Sequence, residues 1–234
     1  MKFETYVKEI IPRTYNVRSF RFPRPETLSY KPGQFLIATI RVDGKELSKP
    51  FSISSSPTEK GHIEFTKKLS ESEFSTALKA LKEGDWARID APYGKFTFEG
   101  EHEKIGLLGG GIGITPLMSI CRYCTDKRLN TKIALLYGNR SENDIAFRRE
   151  LETMQEQNKN LKVVFTINEP SSAWKGATGI IDAELVKKKE IPDYKETVFY
   201  TCGPPAMVEA MEKLIENLGL PKTQLNREYF AGYT

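Results

Sequence analysis

The apolar positions of this chain change their pattern near residue 100. Before it they fall in short runs rich in aromatic and β-branched residues: Phe3 to Ile11, Asn16 to Phe22, Gln34 to Val42, Lys49 to Ser55, His62 to Lys68 and Trp86 to Pro92. Turn-forming clusters separate the runs, among them Pro23-Arg24-Pro25, Lys31-Pro32-Gly33, Asp43-Gly44 and Gly84-Asp85. Short strands punctuated in this way predict a small antiparallel barrel. One helix interrupts it, Glu73 to Lys82, with Phe74, Ala77, Leu78 and Leu81 at helical spacing. After Gly100-Glu101-His102-Glu103 strands alternate with helices. Ile105–Leu108 leads to a helix over Pro116–Cys124, and Ile133–Tyr137 to one over Asp144–Gln157. Val163–Ile167 leads to Asp182–Lys188, and Val198–Tyr200 to Ala206–Leu218. That alternation predicts a doubly wound parallel sheet of five or six strands. The expected domains are residues 1–99 and 104–234.

Two turns of the second half carry candidate chemistry. Gly109-Gly110-Gly111-Ile112-Gly113-Ile114-Thr115-Pro116 joins a predicted strand to a predicted helix. Bare backbone N–H groups at a helix N-terminus suit a pyrophosphate, although a tight turn without a ligand would read the same. No acid closes the Ile133–Tyr137 strand, so this is not the usual dinucleotide fingerprint. The second turn, Thr201-Cys202-Gly203-Pro204-Pro205, follows the last of these strands. Both turns lie at carboxyl ends of strands, where open α/β sheets bind ligands. In the first half, Lys49-Pro50-Phe51-Ser52-Ile53-Ser54-Ser55-Ser56 combines a cation, an aromatic and four serines. Hydrogen bonds to a polar ring system, or a wet edge strand, would account for the serines.

Composition narrows the class. The 234 residues carry a net charge of +4, and all the excess lies in residues 1–100, which hold 17 Lys+Arg against 13 Asp+Glu. This is too small for nucleic-acid binding, but it suits docking of an acidic protein as well as plain solubility. No apolar run is long enough to cross a bilayer, and the N-terminus has no secretory pattern. Three cysteines give no disulfide framework, which points to a reducing, cytoplasmic setting. Cys121 and Cys124 fall inside a predicted helix and read as half-buried thiols. His62 and His102 read as surface residues, and no spacing suggests a metal site.

Taken together, these residues resemble the ferredoxin–NADP reductase superfamily of flavoproteins. Pro32-Gly33-Gln34-Phe35, Lys49-Pro50-Phe51-Ser52, Gly84-Asp85, Pro92-Tyr93-Gly94, the glycine turn and Cys202-Gly203-Pro204-Pro205 all occur in the family's order. The segments Gly138 to Ile145 and Ala173-Trp174 look most like the cytochrome b5 reductase branch and related short bacterial reductases. The resemblance implies an NAD(P)H-dependent flavin oxidoreductase that passes a hydride from the nicotinamide to flavin N5. Phe51 would pack on the flavin, Ser52 would hydrogen-bond near N5, and Lys49 beside Pro50 would meet a flavin phosphate. Lys49 stands where the family usually has Arg, and Phe51 where it has Tyr, so a bidentate phosphate grip and one hydroxyl are lost. Phe74, Ser75 and Thr76 would meet a second phosphate, which favours FAD over FMN. Gly110, Gly111, Gly113, Thr115, Pro116, Asn139, Arg140, Asn168, Gly203 and Pro204 would hold the nicotinamide cofactor, with Cys202 near its reactive carbon. Tyr229 or Phe230 would cover the flavin, and the tail 231–234 runs past the family's usual end.

NADH is expected over NADPH. A 2′-phosphate calls for a cation at the ribose, whereas the third strand of the second half ends Asn168-Glu169-Pro170. Arg140 is the competing cation. Arg148 and Arg149 read as a solvated helix face paired with acids such as Glu152. The expected acceptor is a separate redox protein, an acidic ferredoxin being one candidate, or a small molecule. An electron-transfer subunit of a larger complex and a flavin-free nucleotide-binding module are the alternatives.

Overall fold

The computed structural model describes residues 1–42, 44–187, 191 and 193–230. The first half contains β1 (Lys2–Tyr6), β2 (Glu9–Pro12), β3 (Val17–Phe22), β4 (Phe35–Val42), β5 (Lys45–Ser52), β6 (Ile63–Lys68), α1 (Glu73–Ala80) and β7 (Trp86–Tyr93). The strands form two antiparallel sheets, β1-β7-β4-β5 and β2-β3-β6, with a single bridge from Ile53 to Phe65 between them. Period-2 alternation decides which residues face inward. In β7, Ala87, Ile89 and Ala91 are fully buried between the more exposed Trp86, Arg88 and Asp90. Phe65 stacks with Phe20 and Phe22 at 5.2 and 5.7 Å in the centre, so truncating it to Ala would cost ~3–5 kcal/mol. Ser72 caps α1 by accepting from the Ser75 N–H, and Phe74, Ala77 and Leu78 face the core.

One strand expectation fails here. Phe3 to Ile11 is two strands in different sheets rather than one. Val7 N donates to Asp85 O at 2.9 Å and Lys8 N to Arg21 O at 2.8 Å, so the chain changes sheet between these residues. The corner is what closes the barrel, and no turn residue marks it in the sequence.

The second half contains β8 (Lys104–Gly110), α2 (Ile114–Asp126), β9 (Lys132–Asn139), α3 (Arg148–Gln157), β10 (Leu161–Ile167), β11 (Ala177–Thr178), α4 (Ala183–Leu185), β12 (Val198–Gly203), α5 (Pro205–Asn217) and β13 (Leu225–Tyr229). The six strands form one parallel sheet in the order β11-β10-β9-β8-β12-β13. Two cores cover its faces. Ile105, Leu107, Ile133 and Leu135 pack with Leu117 of α2 and Leu151 of α3. Leu108, Ala134, Leu136 and Phe199 pack with Met211 and Leu214 of α5. The predicted helix from Asp144 starts later, because Asp144 caps a short turn with Ser141 and Phe147 adopts a left-handed φ of 59°. The helix expected over Asp182–Lys188 is described only as far as residue 187.

The histidines and two cysteines lie deeper than expected. The His62 side chain is 14% exposed; burial and then the Arg21 charge lower its pKa. His102 stacks on Phe98 at 6.2 Å. Cys121 and Cys124 are fully buried rather than half-buried, and burial pushes the Cys124 thiol up to about 12. Among the described residues no helix is long and apolar enough to cross a membrane.

Candidate active site

Two cavities lie where the halves meet. The larger, about 400 Å3, opens at the carboxyl ends of the parallel strands. After β8 the chain makes a one-turn 3-10 helix, Gly111–Gly113, that leads directly into α2. The three glycines here have different reasons to be glycine. Gly111 has φ +50° and open space where a Cβ would stand, so its bare backbone faces the cavity. A Cβ on Gly110 would stand 2.5 Å from Met207 Sδ. A Cβ on Gly113 would stand 2.3 Å from the Cys202 carbonyl oxygen. Gly113 therefore permits close packing of the two strand ends and does not line the cavity.

The walls come from both halves. Gly138, Asn139 and Arg140 follow from β9, Asn168 from β10 and Met207 from α5, while Tyr15, Asn16 and Lys68 face them from the barrel. Asn139 is 6% exposed, and among the described residues neither its amide nitrogen nor its amide oxygen has a hydrogen-bond partner within 3.5 Å. A buried amide left unpaired costs ~1–3 kcal/mol per group, which a ligand offering hydroxyls would recover. Arg140 Nε donates to both carboxylate oxygens of Glu169 at 3.0 Å, and the Glu169 pairing raises its pKa. Arg148 pairs with Glu152 at 3.0 Å, as expected of a solvated face.

The smaller cavity, about 150 Å3, is bounded by Phe35, Pro50, Phe51, Ser52 and Thr66 from the barrel. Ile112, Thr115, Glu228, Tyr229 and Phe230 close it from the other half. Ile112 lines both cavities and forms a wall between them. Phe51 lies flat on Phe65 at 4.4 Å and 10°, with Phe74 tilted against it at 5.4 Å. Burial pushes the Glu228 carboxyl up to about 7. Phe230 N donates to Gly203 O at 2.9 Å, fixing the terminal aromatic beside the strand end. Tyr229 is 44% exposed, and its hydroxyl donates to Glu212 at 3.3 Å. Both aromatics line this cavity.

Of the four serines expected to meet a ring system, only Ser52 lines the aromatic cleft. Ser54 Oγ donates to Glu64 at 2.7 Å and bonds Thr66 at 2.8 Å. Ser55 Oγ bonds the Tyr30 hydroxyl at 3.0 Å and Ser56 Oγ that of Thr58 at 2.6 Å. These three hold the barrel together, while Ser52, 8% exposed, borders the cavity.

The structure thus gathers Gly110, Gly111, Asn139, Arg140 and Asn168 at one cavity, and Pro50, Phe51, Ser52, Thr115, Tyr229 and Phe230 at the other. Lys49 and Thr76 lie on the outer surface, and Phe74 and Ser75 are buried in the barrel, outside both walls. Ser75 Oγ is bonded by Ser72 at 3.1 Å. Pro116, Gly203 and Pro204 line neither cavity. Cys202 is fully buried, its thiol donates to Gly113 O at 3.1 Å, and burial raises its pKa well above the usual range. It supports the glycine turn from behind. Sequence reasoning missed Ile112, Thr66 and Glu228. An acid beside two terminal aromatics was the one signal available for Glu228.

Residues 3–98 match the family of oxidoreductase FAD-binding domains, and residues 107–213 match that of oxidoreductase NAD-binding domains. NADH-cytochrome b5 reductase 1 of Aspergillus terreus is 32% identical over 237 residues, covering 95% of this chain and 80% of that protein. The chain belongs to the cytochrome b5 reductase family of FAD- and NAD-binding oxidoreductases. A glycine betaine monooxygenase reductase subunit of Pseudomonas aeruginosa is 30% identical over 95% of this reductase and 63% of its own length. The cytochrome b5 reductase domain of Ulva prolifera nitrate reductase has the same fold, with a TM-score of 0.85, 24% identity and 97% of each chain covered. The reductase therefore binds FAD and a nicotinamide dinucleotide and transfers electrons between them and an acceptor. Its cavities suit those groups: a flat aromatic cleft with one free hydroxyl, and a glycine-floored pocket with an unpaired amide.

Proposed function

We propose that this reductase holds the flavin ring between Phe51 and the Tyr229-Phe230 end, and takes NADH in preference to NADPH into the larger cavity. The observation that carries the reading is the wall the two cavities share. With Ile112 common to both, a nicotinamide reaching past it from the glycine turn meets the Ser52 side of the cleft. Bound flavin supplies the redox chemistry, accepting a hydride equivalent from the nicotinamide and releasing electrons to the acceptor. The protein's part is alignment and tuning. Ser52 offers its hydroxyl at the cleft, Gly111 and the N-terminus of α2 offer N–H groups to a pyrophosphate, and Asn139 offers both ends of its amide to ribose hydroxyls. Cys202 holds Gly113, and so the turn, in place. No general base is required.

The Arg140–Glu169 pair supports NADH. The guanidinium is already bonded to a carboxylate, and that carboxylate would repel a 2′-phosphate. The test is the ratio of catalytic efficiencies for NADH and NADPH with one dye acceptor. The expected ratio favours NADH, and Glu169→Gln narrows it by freeing Arg140. A preference for NADPH that Arg140→Ala abolishes would overturn the assignment.

The acceptor in this reading is a separate redox protein, an acidic ferredoxin being one candidate, in a reducing cytoplasmic setting. The excess positive charge of residues 1–100 supports the first point. The three unpaired, buried cysteines support the second. Reduction of an acidic ferredoxin that slows steeply with added salt is the expected result. Indifference to salt would favour a small-molecule acceptor.

A further inference from the structure

Arg13 belongs to neither cavity, yet its guanidinium connects them. Its side chain is only 9% exposed. Within the barrel, Nε donates to Ser19 Oγ at 2.8 Å and Nη2 to Glu64 at 3.2 Å. The other carboxylate oxygen of Glu64 accepts from Ser54 at 2.7 Å, two residues along the chain from Ser52. Ser54 and Ser19 both bond Thr66, which lines the aromatic cleft. On the opposite side, Nη1 is ion-paired with Glu150 in the first turn of α3, and the guanidinium lies 4.4 Å above the buried ring of Phe147. Phe147 follows directly on Ala146, a wall residue of the larger cavity. Tyr15, in the same turn as Arg13, donates its hydroxyl to Asp144 at 3.0 Å, and Asp144 also lines that cavity.

We infer that Arg13 is a positioning residue that fixes the nicotinamide pocket relative to the flavin cleft. A planar guanidinium presents its donors in fixed directions and keeps its charge at any working pH. A buried charge is tolerated only while its partners stay in place. Glu64 and Ser19 therefore set where Glu150 and Phe147 must lie. The rigid chain runs from α3 through Arg13 and Glu64 to Ser54, just beyond the end of the strand that carries Ser52. Hydride transfer depends steeply on the separation and angle of two rings, so this link acts on the chemical step without touching either cofactor. The inference rests on the two-cofactor reading above.

The experiment uses the flavin-loaded protein, two variants of the link, their combination and one control. Glu150→Ala removes the ion pair that crosses between the halves and leaves Arg13 bonded inside the barrel and seated on Phe147. Arg13→Ala removes both arms. Thr58→Ala, which cuts a different bond between the halves, to Asp126, serves as the control. Amide hydrogen exchange of residues 144–151 is measured without nucleotide, and flavin reduction is followed by stopped flow at saturating NADH. In Glu150→Ala and Arg13→Ala, exchange in this segment is expected to quicken about tenfold and the saturated rate to fall about tenfold. The double variant should be no slower than Arg13→Ala, and the control should change neither quantity. Unchanged exchange in Glu150→Ala, or faster exchange with an unchanged saturated rate, overturns the inference. If Arg13→Ala does not fold, Glu150→Ala alone decides. An unsubstituted protein whose flavin NADH cannot reduce would refute the two-cofactor reading instead, and the exchange measurement would still report on the link.

Discussion

The two cavities share one side chain but treat their polar residues in opposite ways. Around the aromatic cleft, Ser54, Ser55 and Ser56 bond to other parts of the barrel, and Ser52 alone is left at the wall. Around the larger cavity, Asn139 is buried, and among the described residues neither end of its amide has a partner within 3.5 Å. A polar residue in a strand is therefore a poor sign of a ligand. A buried polar residue without a partner is a much better one, because folding alone leaves its desolvation uncompensated.

That contrast can be broken, starting with the largest expected effect. Gly113→Ala sets a methyl 2.3 Å from the Cys202 carbonyl, a clash with backbone that no side chain can relieve. Stability should fall by at least ~3 kcal/mol, read from urea unfolding, whereas Gly111→Ala should cost only ~1–2 kcal/mol for its left-handed φ. Equal losses would mean that both glycines serve the same purpose. Next come Ser54→Ala and Asn139→Ala, with crossed outcomes. The first should lose ~1–3 kcal/mol of stability, because one carboxylate oxygen of Glu64 loses its close donor, with NAD+ affinity unchanged. The second should weaken NAD+ roughly tenfold, about 1.4 kcal/mol, without lowering the melting temperature. Calorimetry and titration on the same samples would expose any departure.

Ser52→Ala should slow flavin reduction severalfold while leaving the melting temperature as it was, since the described residues give its hydroxyl no partner to lose. An unaltered stopped-flow rate would remove Ser52 from the site. The smallest effect concerns Glu228, whose carboxyl is pushed up to about 7 by burial. Its folded pKa lies above its unfolded value, so between roughly pH 4.3 and 7 the native state holds the extra proton. Stability contributed by the protonated form is thus present below that window and lost as pH rises through it. Glu228→Gln, neutral throughout, should flatten this decline in melting temperature between pH 5 and 8. Parallel pH curves for the two proteins would contradict the assignment.

Much of this architecture was legible because it follows from periodicity. Alternation in Trp86 to Pro92 and the switch to strand–helix order after Gly100 required no tertiary information. What escaped depended on distant contacts. The break at Val7 and Lys8 is set by Asp85 and Arg21, which local sequence does not reveal. The delayed start of α3 reflects Asp144 acting as a cap and the left-handed Phe147, where propensity alone would have continued the helix. Within the candidate site, the glycine turn and Ser52 could be singled out from their own residue types, and each lines a cavity. Ile112, an ordinary core residue by composition, became a dividing wall only through its position. Cys202 gains a contact for the same reason: its motif suggested a place near a cofactor, and packing adds a bond from its thiol to Gly113 O that local sequence does not reveal.

The Lys49-Pro50 pair has a consequence away from the cleft. β5 is the outer strand of its sheet, with β4 as its one neighbour there. Ile53 N donates inward to Gln34 O at 2.9 Å, so by alternation the outward-facing nitrogens include that of Pro50, which carries no hydrogen. An exposed lysine next to it adds charge to the same rim. A foreign strand approaching this edge finds an interrupted row of donors and a cation to desolvate, the two devices by which open sheets resist joining end to end with other sheets. The stretch of chain that frames the redox cleft thereby also helps to keep the barrel from aggregating.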